Sequence, residues 1–112
     1  MDHDIRTERG VTIVALTGDV DVAQGLGLRD LLGELLSGPP GPIVIDLAGV
    51  RFLDSSGVGL FVTSHRRAGE DGRGFALAAP GDAVRRTLQL TRTDRILTIH
   101  ETLDDALGAL GS

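Results

Sequence analysis

Apolar residues recur with a two-residue period near the start of the chain. Residues 10–18 (GVTIVALTG) are rich in β-branched side chains and have glycine at both ends, which predicts a β-strand. The more polar residues 4–8 precede this strand, and a turn at Arg9 and Gly10 would fold them back against it. The first forty residues therefore open with an edge strand and a more central one.

Three later apolar runs have the length of strands. Residues 43–47 (IVIDL) are apolar on both faces apart from Asp46, a pattern typical of a central parallel strand. Residues 75–79 (FALAA) and residues 96–99 (ILTI) are shorter runs of the same kind. Together with the two strands at the start, these runs predict four to five strands.

A helical period begins after Asp21. Asp21 is expected to be the N-cap, with Gln24 at the third helical position completing a pair that resembles a capping box. Prolines and glycines at residues 38–42 end this helix. The apolar face of the helix is expected to contain Leu28, Leu31, Leu32 and Leu35.

Helical patterns recur between and after the later strands. One helix follows residues 54–57, another begins at residues 80–82, and a last one covers residues 103–110. Strand and helix alternation predicts an α/β fold with a mixed, mostly parallel sheet of four to five strands and helices mainly on one face. The apolar faces of the second and third helices are expected to contain Leu60, Phe61, Ala68, Val84, Leu88 and Leu90.

Length and composition favour a single domain over residues 1–112 in the cytoplasm. No internal repeat divides the 112 residues, and the absence of cysteine excludes disulfides and thiolate metal sites. No apolar run approaches the ~18 residues of a membrane span. The charged N-terminus has no signal-peptide pattern. We therefore expect no membrane contact.

The charge of the chain argues against nucleic acid as a partner. The net charge is −5, with sixteen acidic residues against eleven basic ones, all arginine. Nucleic-acid affinity depends on neutralising phosphates, and stacking of bases needs aromatic side chains, which are only 3% here. A P-loop is also excluded because its motif requires a lysine.

The segment Asp54-Ser55-Ser56-Gly57 carries the most chemical information. It places two hydroxyls where a strand meets a helix, and unpaired N–H groups with the helix dipole make such an end favourable for a phosphoryl group. Gly57 and Gly59 would leave the surface bare for a close approach by another molecule. On local chemistry alone, a plain helix cap remains the simpler interpretation of these residues.

Catalytic and metal-binding patterns are missing around this segment. A nucleophile elbow needs glycine two residues before the serine, where Leu53 and Asp54 stand. His65 lies on the following helix, too far along to be an obvious base for either serine. The remaining histidines, His3 and His100, lack the spacing of metal ligands. We therefore expect neither an enzyme nor a metal site.

Several blocks of the chain together resemble the STAS-domain anti-sigma factor antagonists. The resemblance runs in unbroken order from about residue 4 to residue 110. Its blocks are residues 18–21 (GDVD) with the leucine-rich helix, residues 43–47 (IVIDL), residues 52–59 (FLDSSGVG), residues 79–91 and residues 94–107. The resemblance implies a STAS-type domain.

This resemblance implies a partner switch rather than an enzyme. In the family, the unphosphorylated antagonist binds an anti-sigma factor that is also a serine kinase and thereby releases a sigma factor. The kinase phosphorylates the second serine of the motif, here Ser56, and a PP2C-type phosphatase removes the phosphate. ATP and its metal belong to the kinase, so no cofactor is expected. The surface contacted by the kinase would comprise Asp21, Asp54, Ser55, Gly57, Val58 and Gly59.

The chain departs from the family pattern at the end of the third helix. Arg92 stands where a glycine is usual, and Thr93 follows where an apolar residue is common. Because glycine suits a left-handed helix end, we expect this end to be reshaped.

Two alternative functions remain open. One is a STAS scaffold or adaptor subunit in a stress-signalling or lipid-transport assembly, for which the fold would be kept without the sigma pathway. The other is a small serine hydrolase, against which the missing nucleophile elbow and base argue. The serine at position 56 favours the partner switch over the adaptor but does not exclude the adaptor.

Overall fold

Five strands form one sheet in which the strands lie in the order of the chain. The computed structural model describes residues 1–111, and the first pair of strands is antiparallel whereas the remaining three pairs are parallel. The prediction of a mixed, mostly parallel sheet is thus confirmed. The strands are β1 (Asp2–Glu8), β2 (Val11–Val20), β3 (Ile43–Leu53), β4 (Phe75–Ala78) and β5 (Thr98–His100).

Helices cover both faces of this sheet unequally. Three helices join successive parallel strands that progress in one direction, and right-handed crossovers of this kind place them on one face. The fourth packs on the opposite face, so the helices lie mainly on one face as predicted. They are α1 (Gly25–Ser37), α2 (Ser55–Glu70), α3 (Asp82–Leu90) and α4 (Leu103–Leu110). Among residues 1–111, no helix is long and apolar enough to cross a membrane.

Side-chain alternation along the strands produces two separate apolar layers. In β3, Ile43, Ile45 and Leu47 belong to the layer shared with α1, α2 and α3, whereas Val44 belongs to the layer under α4. All four of these side chains are fully buried. A strand covered on both faces has no polar side to present, which explains the continuous apolar run in the sequence.

The predicted turn between the first two strands is a tight two-residue hairpin. Arg9 and Gly10 both have positive φ angles, 53° and 76°, and Glu8 pairs with Val11 across them. Two successive residues with positive φ define a type I′ turn, whose twist matches that of the flanking strands. The prediction of an edge strand joined through this turn is confirmed.

The predicted end of the strand at residues 43–47 is wrong, because β3 continues to Leu53. Its register against β2 shifts twice, and the two strands still end together where Val20 pairs with Leu53. The backbone N–H of Asp54 donates to the carbonyl of Val20 over 3.1 Å. Irregular pairing of this kind lets a strand continue past residues that break simple alternation. This extension places Asp54 beside the segment that follows β2.

The first helix begins later than its capping pattern predicts. Asp21 caps a three-residue 3-10 turn, Val22–Gln24, by accepting from the backbone N–H of Ala23 over 3.1 Å. The α-helix itself begins at Gly25, and Gln24 makes no side-chain capping bond. The predicted capping box is therefore wrong, although Asp21 is a capping residue. Of the predicted apolar face, Leu28 and Leu32 are buried, and Leu31 and Leu35 are partly buried.

The end of the third helix keeps the backbone shape that glycine would favour. Arg92 has φ 59° and ψ 17°, a left-handed conformation, so the expected reshaping is wrong. Thr93 is buried, and its hydroxyl bonds the Thr91 hydroxyl over 2.8 Å and the Leu88 carbonyl over 3.4 Å. These bonds satisfy a polar group in an apolar environment. Leu90, expected in the core, is 74% exposed.

The last two strands differ from their predicted bounds by one or two residues. The strand predicted at residues 75–79 ends at Ala78. Ala79 has a positive φ of 55°, although its N–H still donates to the carbonyl of His100 over 3.0 Å. The strand predicted at residues 96–99 is Thr98–His100, and a 3-10 turn, Thr93–Arg95, precedes it. Neither difference changes the order of the strands.

Candidate functional site

The carboxylate of Asp54 organises the start of α2. Asp54 is the N-cap of this helix, with an extended backbone at φ −97° and ψ 178°. Its Oδ1 accepts from the backbone N–H groups of Ser56 over 3.0 Å and Gly57 over 3.1 Å. The Ser56 hydroxyl donates to the same oxygen over 2.6 Å. One oxygen thus satisfies two free N–H groups of the helix and fixes the direction of the serine hydroxyl.

The second oxygen of Asp54 reaches a different part of the chain. Its Oδ2 accepts from the backbone N–H of Val22 over 3.0 Å, across 32 residues of sequence. Val22 opens the 3-10 turn that Asp21 caps, so this bond ties the start of the first helical segment to the start of α2. We call the carboxylate of Asp54 with its four hydrogen bonds the Asp54 fork.

Hydrogen bonding keeps the Asp54 carboxylate ionised. The bond from the Ser56 hydroxyl is the largest cause that holds the pKa of Asp54 below its ordinary value of 3.8. Partial burial opposes this shift, and the backbone N–H groups of Gly57, Val22 and Ser56 reinforce it. At neutral pH the Ser56 hydroxyl therefore lies against a full negative charge.

Both serines of the motif are exposed at the surface. Ser55 is the first residue of α2 and Ser56 the second, so both hydroxyls lie within the first turn of a 16-residue helix. Asp54 and Asp21 are half-buried beside them. The structure thus brings together Asp54, Ser56 and the turn that follows Asp21, which the sequence predicted to be neighbours.

Gly57 and Val58 lie on the buried side of the start of α2. Both are buried, and an added Cβ at Gly57 would lie 2.6 Å from Cδ1 of Leu53 and 2.9 Å from Cγ1 of Val20. Glycine at this position therefore allows α2 to pack closely on the ends of β2 and β3, and the expectation that Gly57 bares the surface is wrong. Gly59 is exposed, with no atom within 4 Å of the corresponding Cβ position.

Val22, whose backbone N–H belongs to the fork, and the nearby Leu26 are exposed apolar residues that the sequence patterns did not reveal. Val22 is 76% exposed and Leu26, four residues further, is 73% exposed. Residues four apart in a helical segment are neighbours on its surface, and a patch of exposed apolar side chains is typical of an interaction site. Their signal in the sequence was weak, because the leucine pattern of α1 only becomes regular at Leu28.

The surroundings of Ser56 differ from those of a catalytic serine. Its hydroxyl donates to the Asp54 carboxylate, whose lowered pKa and backbone hydrogen bonds make it a weak base, whereas a serine nucleophile needs an adjacent base that can take its proton. His65 lies nine residues further along α2, about 13 Å by the rise of the helix. Its Nδ1 is buried without a hydrogen-bond partner, and its ring meets the Phe75 ring edge-on at 6.4 Å. Within the described part of the chain, no three His, Asp or Glu side chains cluster closely enough to hold a metal ion.

The sequence and the fold of the chain match a known family. A family model of the STAS domain covers residues 2–106, and the chain belongs to the STAS domain family. RsfB of Mycobacterium tuberculosis, an anti-sigma-F factor antagonist, is 29% identical over 103 residues, which span 92% of this chain and 84% of RsfB. The resemblance seen in the sequence is confirmed.

Solved structures agree with this assignment. The crystal structure of an anti-sigma factor antagonist from Mycobacterium paratuberculosis has a TM-score of 0.90 at 32% identity and covers 97% of this chain and 92% of that one. An anti-sigma-factor antagonist (STAS) domain protein from Planctomyces limnophilus has a TM-score of 0.84 at 26% identity, with 97% of each chain covered. Both belong to proteins of the regulatory class that the sequence resembles.

The packing of Gly57 can be tested against a matched glycine on the same helix. Gly57→Ala should lower the free energy of unfolding by about 1–3 kcal/mol, because the new methyl group overpacks the contact with Val20 and Leu53. Gly59→Ala should instead raise it by about 0.5–1 kcal/mol, since its site is open and alanine favours a helix. Urea unfolding of both variants measures the difference, and equal effects would contradict this account of Gly57.

The fork also predicts a pH dependence. The pKa of Asp54 is lower in the folded chain, so its ionised form stabilises the fold above the ordinary aspartate range, and this contribution disappears as pH falls through the lowered pKa. Asp54→Ala should therefore lower the free energy of unfolding by about 1–2 kcal/mol at neutral pH. The gap between variant and parent should shrink in acid.

A control variant separates the destabilisation caused by Asp54→Ala from a general effect of removing an acidic residue. Asp30→Ala, at an exposed position on α1, should change the free energy of unfolding by less than about 0.5 kcal/mol. Urea unfolding across a pH series measures all three chains. If the gap between Asp54→Ala and the parent stays constant into strong acid, the fork does not stabilise the fold through its charge.

Proposed function

We propose that this chain is an anti-sigma factor antagonist whose binding to an anti-sigma factor ends when Ser56 is phosphorylated. The observation that carries the proposal is the exposed Ser56 hydroxyl, held at the start of α2 by the ionised Asp54. The names of RsfB and of the mycobacterial crystal structure support the same regulatory class. The partner would be an anti-sigma factor that is also a serine kinase.

The remaining parts of the switch lie outside this chain. The kinase supplies ATP and its metal, and a PP2C-type phosphatase restores the unmodified serine, so the antagonist needs no cofactor and catalyses nothing itself. All three proteins would meet in the cytoplasm. The antagonist contributes a surface whose affinity for the anti-sigma factor depends on the state of the Ser56 hydroxyl.

Phosphorylation would place two like charges side by side. A phosphoserine carries about −1.5 to −2 charges at neutral pH, next to a carboxylate that is already ionised. Two unit charges ~6 Å apart repel by about 3 kcal/mol at an effective dielectric constant of 20 and by less than 1 kcal/mol at that of water. Because Asp54 lies near the surface, solvent screening brings the value toward the lower figure. Charge alone is then a modest part of the switch.

Phosphorylation would also remove the hydrogen bond between Ser56 and Asp54 and so change the geometry of the site. Esterified Ser56 oxygen has no proton to donate, so the 2.6 Å bond that holds Asp54 toward the helix is lost. The N–H groups at the start of α2 can turn to the phosphate, which helix N-termini favour. A displaced Asp54 carboxylate then no longer accepts from Val22, and the 3-10 turn loses its tie to α2.

The proposed contact surface has a polar centre with an apolar margin. Ser55 and Gly59 are exposed on α2, and the half-buried Asp21 and Asp54 lie beside them. Val22 and Leu26 would be covered by the partner, which removes apolar surface from water and favours binding. Buried Gly57 and Val58 belong to this site by shaping the helix start. Because the Asp54 fork joins the two parts, a change at Ser56 can reach the apolar margin.

The proposal predicts different behaviour for two substitutions of Ser56. Ser56→Ala should bind the anti-sigma kinase and resist inactivation, because alanine removes the phosphate acceptor and leaves the three backbone bonds to Asp54 intact. Ser56→Asp should bind at least about tenfold more weakly, since it sets a second carboxylate against Asp54. Its fold should persist, because a negative charge at a helix N-terminus is favourable.

Ser55→Ala is the matched control on the neighbouring residue. It should still be phosphorylated, and binding should still be lost afterwards. Binding titrations and phosphosite mapping after incubation with the cognate kinase and ATP measure these outcomes, and melting curves verify the fold of each variant. Phosphate on Ser55, or a Ser56→Asp chain that binds as tightly as the parent, would overturn the proposed switch.

A further inference from the structure

The outer edge of the sheet is a free strand. All seven residues of β1 are exposed, and in the described part of the chain β1 pairs with β2 alone. An unpaired edge presents a row of N–H and C=O groups to any strand that matches it. The strand that can pair here is determined by two properties of β1. These are the residues whose N–H and C=O groups point outward and the charged side chains next to them.

Hairpin geometry determines which groups point outward. In a two-residue type I′ hairpin, the pair that flanks the turn, here Glu8 and Val11, exchanges both backbone hydrogen bonds. Pairs along an antiparallel ladder alternate, and the register of β1 against β2 has no shift. The N–H and C=O groups of Thr7, Ile5 and His3 therefore point away from β2.

We propose that two copies of this chain associate through antiparallel pairing of β1 with β1, centred on Ile5. In this register Ile5 faces Ile5 of the second copy and His3 faces Thr7, so each of these pairs brings outward-pointing groups together. The two five-stranded sheets then continue as one. This association goes beyond the proposed switch and does not depend on it.

The contact of Ile5 with its own copy selects this register, and two charge pairs accompany it. With Ile5 on the two-fold axis, Asp4 of each copy lies opposite Arg6 of the other, in pairs without backbone bonds, where side chains are closest. This gives two opposite-charge pairs on the face that carries α4. On the other face Ile5, which is 42% exposed, meets its own copy and covers apolar surface. A shift by two residues in either direction would lose the contact between the two Ile5 side chains. In one direction it sets Arg6 against Arg6, and in the other it sets Asp4 against Asp4 and exchanges the charge pairs for pairs of Asp2 with Arg6.

The same strand limits how tightly the copies can bind. At the ends of the ladder Asp2 faces Glu8, so two pairs of like charges oppose the two favourable pairs. Arg6 also contacts Glu8 of its own strand over 3.3 Å and shares its charge between two carboxylates. Seven residues from each chain form a small interface, and small interfaces are typical of weak association. We therefore expect a dimer that dissociates on dilution.

Charge reversal tests the register directly. Arg6→Asp puts Asp4 opposite an aspartate, and Asp4→Arg puts Arg6 opposite an arginine, so each variant alone should dimerise roughly tenfold more weakly or not at all. An equimolar mixture of the two variants restores opposite charges in both pairs and should form a heterodimer. The double variant Asp4→Arg with Arg6→Asp should self-associate like the parent.

Arg29→Asp, at an exposed position on α1, is the control for net charge, because it changes the charge as much as Arg6→Asp does and should leave dimerisation unchanged. Sedimentation velocity over a wide concentration range measures all five samples and the parent, with circular dichroism to verify the fold. Recovery of dimer in the mixture and in the double variant supports β1 pairing. A parent that stays monomeric at high concentration, single variants that dimerise as well as the parent, or a mixture that does not recover would overturn it.

Discussion

The Asp54 carboxylate is the interaction on which the arrangement of the site depends. Its Oδ1 accepts three hydrogen bonds from the first turn of α2, and its Oδ2 accepts one from Val22 at the start of the preceding helical segment. A neutral or shorter side chain cannot accept all four. Because one of the four donors is the Ser56 hydroxyl, a phosphate group on that hydroxyl would remove this bond and also compete for the N–H groups at the start of α2.

The sheet makes this arrangement possible. β2 and β3 are parallel, so their carboxyl ends meet at one edge, and the extension of β3 to Leu53 brings Asp54 level with Val20. Gly57 then lets α2 approach the ends of both strands more closely than any larger residue would. The position of Ser56 is thus fixed by the core of the domain, while its hydroxyl stays at the surface. An exposed hydroxyl on a well-packed support suits the proposed switch, in which another protein modifies Ser56.

Local patterns allowed much of this to be predicted. Asp54 as a cap and the two exposed serines follow from short-range chemistry, because a capping side chain bonds residues two and three positions away. The bond between Asp54 and Val22 could not be predicted in the same way, since it spans 32 residues and depends on the register shifts of β3. The role of Gly57 was misjudged for the same reason, because its neighbours come from two strands.

Elsewhere, the tertiary environment overrode local preference. Leu90 fits the apolar period of α3 but lies at its last turn, beyond the edge of the core. Arg92 adopts the left-handed conformation that usually favours glycine, at the turn into Thr93, whose buried hydroxyl bonds Thr91 and Leu88. A residue that differs from the family pattern can therefore leave the backbone conformation unchanged. The cost is that Arg92, which is not glycine, adopts a strained left-handed conformation.

Amide hydrogen exchange at Val22 tests the Asp54 fork most directly. The unmodified chain can be compared with a chain that carries phosphoserine at position 56 from its synthesis, so that no kinase is needed. If phosphorylation displaces the carboxylate, exchange at the Val22 amide should accelerate, while the Asp105 amide, capped by Thr102 in α4, should exchange as before. Unchanged exchange at Val22 in the phosphorylated chain would contradict the account, because the carboxylate would then have kept its bond to Val22 beside the phosphate that is expected to displace it.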